Sequence, residues 1–300
     1  MDKPSIINKV IEPILKRRKT HDRDAAEYDE KHVEIYNPTE QKRIRQVLKD
    51  ALTQVLTKSD PPRVLDFGAG TGNLTEHLLA LGATTVAADI SSKYLERLVR
   101  KLGHSKRLET MLLHGDDLSG IPDGSFDMVA TYSVLHHVPD YLKITDEFVR
   151  VLKTGGIVYI DHEVCPAYWE ENADYEAYLE ELGSEFSKVH RDELGITLRD
   201  EKMSRETADR KSFSLKKLIK RTERGLSSRQ RRRIRKGGDL HVYKDDHIVW
   251  GDIESRLRPR CEIINSVDYL VCRERYEDPE IWRKWKNRCF DMHVVVARKR

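Results

Sequence analysis

Apolar positions over the first sixty residues recur at helical intervals. Ile6, Ile7, Val10, Ile11, Ile14 and Leu15 mark one helix; after Pro38, Ile44, Val47, Leu48 and Leu52 mark a second. Pro61-Pro62 ends this segment, and the pattern changes at Arg63. Short β-branched runs follow at Val64–Phe67, Thr85–Asp89, Thr110–His114, Met128–Ser133 and Ile157–His162. Helical patterns lie between several of them, at Leu74–Leu81, Ser92–Leu102 and Leu142–Leu152. Strands interleaved with helices predict a parallel sheet with helices on both faces, an α/β fold. The Lys153-Thr154-Gly155-Gly156 stretch reads as the turn that ends a helix and launches a strand. Right-handed crossovers then bring the C-terminal ends of the strands to one edge, where ligands gather.

The alternation stops after His162. Residues 163–187 hold eight acids and no Lys or Arg, whereas 210–236 hold thirteen Lys/Arg against the single acid Glu223. The order predicts an N-terminal helical segment over 1–60, a ligand-binding core over 61–162 and a helical insertion over 163–245. That insertion is a lid candidate, because a structureless loop of its length is improbable in a folded domain. The C-terminal end of the core sheet follows over 246–300, with strands at Cys261–Ile264, Val267–Cys272 and Met292–Ala297.

Composition narrows the class. Charged residues at 35% and apolar residues at 38% of 300 suit a modest core with a heavily charged appendage. A net charge of +3 selects no partner by itself. Cys165, Cys261, Cys272 and Cys289 lie far apart without a C-x-x-C pair, which argues against a disulfide framework or zinc site and for a reducing compartment. The N-terminus lacks a signal-peptide pattern and no apolar run is long enough to span a membrane, so a soluble, cytoplasmic protein is expected.

The chemistry concentrates in Val64-Leu65-Asp66-Phe67-Gly68-Ala69-Gly70-Thr71-Gly72. Glycines at alternate positions let the backbone turn and approach a ligand, and the helix that follows points unpaired N–H groups at it. The spacing is G-x-G-x-G, not the G-x-G-x-x-G of dinucleotide sites, and no P-loop occurs. Asp66, two residues before the first glycine, is awkward for a diphosphate and suits a zwitterion with an ammonium group. Asp89, at the tip of the second strand, can accept both ribose hydroxyls, and Asp116, after the third, can accept from an adenine amino group.

These residues resemble the class I S-adenosylmethionine-dependent methyltransferases, in particular the group that includes the ubiquinone and menaquinone biosynthesis enzymes. Asp66 to Gly72 matches the first motif of that family and Asp89 its ribose-binding acid. Gly115-Asp116 with Ile121–Asp127 matches the adenine-side motif and strand lead-in. Tyr132-Ser133-Val134-Leu135-His136-His137-Val138 matches the fourth-strand motif, Leu152–Gly156 the turn before the fifth, and Met292–Lys299 the last strand. The resemblance implies a Rossmann-like, mostly parallel seven-stranded sheet. It also implies S-adenosyl-L-methionine contacts from Asp66, Gly68, Ala69, Gly70, Gly72, Asp89, Ile90, Asp116, Asp117 and Ser133.

Transfer from a sulfonium is an in-line displacement that needs positioning, and a base only where the acceptor is protonated. His137 is the candidate for acceptor contact or proton acceptance; His136 reads as locally bonded. Asp161, His162 and Glu163 either reach the acceptor or form a solvated strand end. Tyr28 and Tyr36 are candidates to close over the cofactor. The [ND]-P-P-[YF] element that in the resembled family marks amide or adenine nitrogens as acceptors does not follow the fourth strand, so the resemblance disfavours those acceptors, and His241, Asp246 and His247 lack metal-ligand spacing. A small-molecule acceptor is expected. The alternatives are RNA or protein held by the basic stretch 210–236, or a non-enzymatic module that keeps the cofactor site.

Overall fold

A computed structural model of the chain describes residues 32–115, 117–185, 240–274 and 278–300. The helix expected over Ile6–Leu15, Tyr28, Asp116 and the basic stretch 210–236 lie outside the described residues.

Helix α1 (Val33–Tyr36) leads into α2 (Pro38–Thr53), which starts where Asn37 accepts a hydrogen bond from the Glu40 N–H and Pro38 occupies the first turn. The chain then runs β1 (Arg63–Phe67), α3 (Asn73–Ala80), β2 (Thr84–Asp89), α4 (Ser92–Leu102), β3 (Leu108–Leu112) and β4 (Phe126–Tyr132). A 3₁₀ turn at Leu135–His137 precedes α5 (Tyr141–Val151) and β5 (Leu152–Val164). A second 3₁₀ turn (Pro166–Trp169) leads to α6 (Ala173–Glu185). From residue 240 onward come a hairpin of β6 (Val242–Tyr243) and β7 (Asp246–His247), then α7 (Trp250–Leu257), β8 (Cys261–Tyr269), α8 (Glu280–Trp285) and β9 (Met292–Lys299).

The main sheet has seven strands in the order β3-β2-β1-β4-β5-β9-β8; β9 is antiparallel to β5 and to β8, and the other pairs are parallel. Alternation along each strand sends side chains to two apolar layers. Leu65, Val129, Val158, Ile160 and Val295 pack with Phe148 of α5 and Trp250 of α7. Val64, Met128, Ala130, Tyr159 and Val296 pack on the other face with Ile44 and Leu48 of α2 and Leu78 of α3. A smaller cluster joins α6 to α8 through Tyr175, Tyr178, Leu182, Trp285 and Cys289.

Three expectations are corrected. Strand β5 starts at Leu152, absorbing the Lys153–Gly156 turn as an irregularity opposite β4, and continues past His162 to Val164. Glu163 is therefore part of the sheet. The two strands expected over 261–272 are one, β8, because the interruption is a register shift between Ile263 and Asn265 rather than a turn. Strand β3 sits two residues earlier than its apolar run suggests. Among the described residues, no helix is long and apolar enough to cross a membrane.

Candidate cofactor and acceptor site

The strand order reverses between β1 and β4, so the crevice beyond their C-terminal ends is the ligand position in an open α/β sheet. The glycine loop leaves β1 there. Gly68 and Ala69 donate their N–H groups to the Ala88 carbonyl, 2.8 and 3.0 Å away, fastening the loop to β2. Gly68 has φ +75°, and a Cβ there would lie 2.5 Å from the Val134 side chain, so the β1 and β4 loops touch only because it is glycine. Gly70, at φ +53°, differs: a Cβ would meet nothing within 4 Å among the described residues. Of these two glycines, Gly70 borders open space and Gly68 serves packing. Ala69 is buried with Leu79, Ala87, Leu98 and Leu102, pointing inward.

The acids sit around this loop. Asp89, 7% exposed, accepts from Gly70 N–H at 2.9 Å and Ser91 N–H at 2.8 Å, one bond to each oxygen. Asp66, 1% exposed, accepts from the Thr75 hydroxyl at 2.5 Å, and its pKa is raised to about 7, first by burial and also by Asp89. A carboxyl so placed gains from a cation beside it. Asn73 opens α3, with its Oδ1 taken by Gln41 and its Nδ2 buried without a hydrogen-bond partner among the described residues. Open space at Gly70, a cation-seeking Asp66, an anchored Asp89 and an orphaned Asn73 donor together fit a zwitterionic nucleoside such as S-adenosylmethionine. Ile90 is half-buried against the α5-side core, and Asp117 is exposed with both oxygens on Ser119 of its own turn.

The N-terminal segment is latched to the loop. The Tyr36 hydroxyl and Thr71 Oγ1 lie 2.9 Å apart, and Gln41 bridges Asn73 and the His77 ring, at 2.8 Å each. Sequence reading flagged Tyr36; nothing in the local pattern marked Gln41.

At the β4–β5 side, Ser133 adopts φ +58° and donates its N–H to the Asp161 carbonyl at 3.0 Å. Glu163, 2% exposed, organises the turn that follows. One oxygen accepts from Val134 N–H and Leu135 N–H at 2.8 and 2.6 Å; the other meets His136 Nδ1 at 2.8 Å. His136 is thus committed locally, and its carbonyl accepts from Leu240 and His241. The His137 ring is half-buried against that of His136, centroids 4.0 Å apart.

Asp161, His162 and Glu163 are 0%, 5% and 2% exposed, so the solvated strand end is corrected to a buried one. Asp161 accepts from Arg43 at 2.9 Å and from the Tyr269 hydroxyl at 2.8 Å, and the Tyr159 hydroxyl joins it. Arg43 also grips Glu40, which accepts from the Tyr132 hydroxyl at 2.9 Å. Burial raises the Glu40 pKa against the pull of Arg43. This buried network ties α2 to β4, β5 and β8. From sequence, Glu40 and Arg43 look like an exposed helical pair. His241 pairs with Asp246 and the Val138 carbonyl, at 2.6 and 3.0 Å.

Residues 65–160 match the family described as "Methyltransferase domain". Among curated relatives, a demethylmenaquinone methyltransferase of Clavibacter sepedonicus is 33% identical over 144 residues, 48% of this chain and 58% of that protein. A ubiquinone biosynthesis O-methyltransferase of Thiobacillus denitrificans is 35% identical over 98 residues, 32% of this chain and 42% of the relative. The chain thus spans about half the length of the curated relatives it matches. For the fold, an S-adenosylmethionine-dependent methyltransferase structure from Mesorhizobium loti aligns with TM-score 0.50 at 19% identity, covering 83% of this chain and 96% of that one. Residues 65–160 therefore match the methyltransferase domain family, and the seven-stranded sheet has the fold of the S-adenosylmethionine-dependent methyltransferase structure it aligns with.

Proposed function

We propose that this protein transfers a methyl group from S-adenosylmethionine to a small-molecule acceptor. The observation that carries the reading is the pair of buried carboxylates, Asp66 and Asp89, flanking the open Gly70 position at the sheet's reversal point. The names of the quinone-pathway relatives support a small acceptor.

When bound, S-adenosylmethionine supplies a methyl carbon already activated by its sulfonium. In this reading Asp66 meets the ammonium, and Asp89 accepts from the ribose hydroxyls while the Gly70 and Ser91 N–H groups orient its carboxylate. The Gly68 and Ala69 backbone sets the loop, Gly72 opens α3, and Ile90 and Asp117 flank the adenine. Ser133 meets the cofactor and His137 stands at the acceptor side.

Asp89→Ala tests the ribose assignment: affinity for S-adenosylhomocysteine should fall about tenfold or more by calorimetry, with the circular dichroism spectrum unchanged. Equal affinity refutes it. Transfer of tritium from labelled cofactor should appear in a metabolite extract; label appearing only in total RNA or in protein would overturn the small-molecule reading.

A further inference from the structure

The pairing of β5 with β9 advances from Asp161↔Val294 to Glu163↔His293, leaving His162 as an extra residue in β5. Such bulges re-aim a side chain. His162 has φ +63°, a conformation costly for a residue with a Cβ, and its N–H donates to its neighbour's Asp161 Oδ1 at 2.7 Å. The ring stacks on Tyr132, centroids 4.5 Å apart and planes 24° from parallel. Tyr132 is itself held through its hydroxyl by Glu40. The His162 side chain is 5% exposed, yet neither Nδ1 nor Nε2 has a hydrogen-bond partner among the described residues. A buried imidazole with both nitrogens unmatched is an uncompensated cost, and here it adds to a backbone cost at the same residue. Both fall at the C-terminal ends of β4 and β5, beside the crevice.

We infer that His162 faces the methyl acceptor, that the acceptor is an aryl hydroxyl compound, and that a ring nitrogen takes the hydroxyl proton during transfer. This rests on the methyltransferase reading above. The acceptor O–H donates to the ring nitrogen that carries the lone pair. The oxygen forms a bond to the methyl carbon, the carbon–sulfur bond breaks with its electron pair remaining on sulfur, and the proton ends on the ring as an imidazolium. The aryl class follows from the weakness of the base. Burial, then Arg43, Arg273 and His136, hold the ring well below the ordinary histidine range, so it is neutral and feebly basic. A base of that kind works best on an acidic proton, an aryl hydroxyl with pKa of about 10 rather than a far less acidic alkyl alcohol. A neutral amine would attack without prior proton removal and would not need it.

The test uses the full chain loaded with S-adenosylhomocysteine, with 4-nitrocatechol as probe, because its visible band moves when its hydroxyl ionises. His162→Phe keeps a ring against Tyr132 and removes both nitrogens; His162→Gln keeps a hydrogen-bonding group without a proton-accepting base. Calorimetry comes first: wild type and both variants should bind S-adenosylhomocysteine within about twofold of each other. A wild type that fails to bind it sinks the methyltransferase reading, separately from this proposal. The loaded wild type should then bind 4-nitrocatechol with a band shift. The Phe variant should bind it about tenfold or more weakly, and the Gln variant should restore binding without the shift. Equal binding by the Phe variant, or none by the loaded wild type, overturns the proposal and leaves a structural water as the partner of the ring. Should the Phe variant not fold, wild type labelled with ¹⁵N-histidine decides: the His162 ring resonances must move on adding 4-nitrocatechol, and static resonances overturn the assignment.

Discussion

Burial holds the Asp66 carboxyl at a pKa of about 7, with the Thr75 hydroxyl pulling it down and Asp89 pushing it up. The native state therefore binds a proton at pH values where the unfolded chain, with an ordinary carboxyl at 3.8, has released it. The resulting stabilisation is complete below the unfolded pKa and lost as pH rises through about 7. The shift corresponds to a penalty of about 4 kcal/mol in the ligand-free protein at pH 8. Asp66→Asn should raise the urea midpoint of the ligand-free protein at pH 8 and leave it unchanged near pH 4. In calorimetry, S-adenosylhomocysteine should bind wild type more tightly as pH rises through about 7, because its ammonium favours the ionised carboxyl. The Asn variant should bind weakly with no such slope, and the opposite pairing of effects would refute the ammonium assignment. The identity of this residue was legible in the sequence, since an acid two positions before a Gly-rich turn is a local pattern. Its burial was not, because Thr75 and the strands that cover it come from elsewhere in the chain.

At the scale of elements, Glu163 holds the turn between β4 and α5 by accepting two backbone N–H groups and a histidine ring. Removing it leaves a buried N–H on Leu135 and a second one on Val134 unmatched. Glu163→Ala should cost about 2–4 kcal/mol in urea unfolding. Amide exchange should accelerate at Val134 and Leu135 while Gly70 and Ser91, which answer to Asp89, keep their protection. Uniform acceleration would mean the turn is held by something else. Periodicity placed most of the strands and helices of the core, and Asn37, Ser91 and Asp140 cap helices close to where the pattern begins them. It failed where pairing overrides local preference. The Gly155-Gly156 turn became part of β5, and the bulge at His162 carried the strand two residues farther, because the neighbouring strands supply hydrogen bonds that no local pattern records. The candidate His162 was visible in the sequence as a strand-end residue; its left-handed backbone and unmatched ring were not.

At the scale of the molecule, a second buried charge pair joins α6 to the segments that follow β8 and precede β9. Asp291, fully buried, accepts from Arg273, from the Val271 N–H at 2.9 Å and from the Tyr175 hydroxyl of α6 at 3.4 Å. Burial works against the Arg273 charge, yet Asp291 keeps its pKa well above the ordinary value. Exposed contacts reinforce this seam: Glu181 with Lys284 at 2.7 Å and Asp174 with Arg288 at 2.6 Å give part of the acidic stretch its partners. Such exposed pairs contribute little. Asp291→Asn, which strands Arg273, should destabilise by about 3–5 kcal/mol, whereas Glu181→Gln should shift the midpoint by less than about 1 kcal/mol. Similar losses in the two variants would overturn this ranking. The order of segments was legible because composition changes sharply after the fifth strand. The seam was not, because Tyr175 lies 116 residues before Asp291 and Arg273 18 before it, and no spacing rule connects them.

The insertion of β9 between β5 and β8 bears on how such a protein diversifies. Because β5 and β9 are hydrogen-bonded neighbours, everything between Val164 and Met292 leaves and returns to one place in the sheet. Lengthening a tethered excursion of this kind costs only about 0.6 kcal/mol per doubling. It alters no bond among β1, β2 and the glycine loop. The connectivity lets the region between β5 and β9 be exchanged by inheritance or by design while β1, β2 and the glycine loop stay as they are.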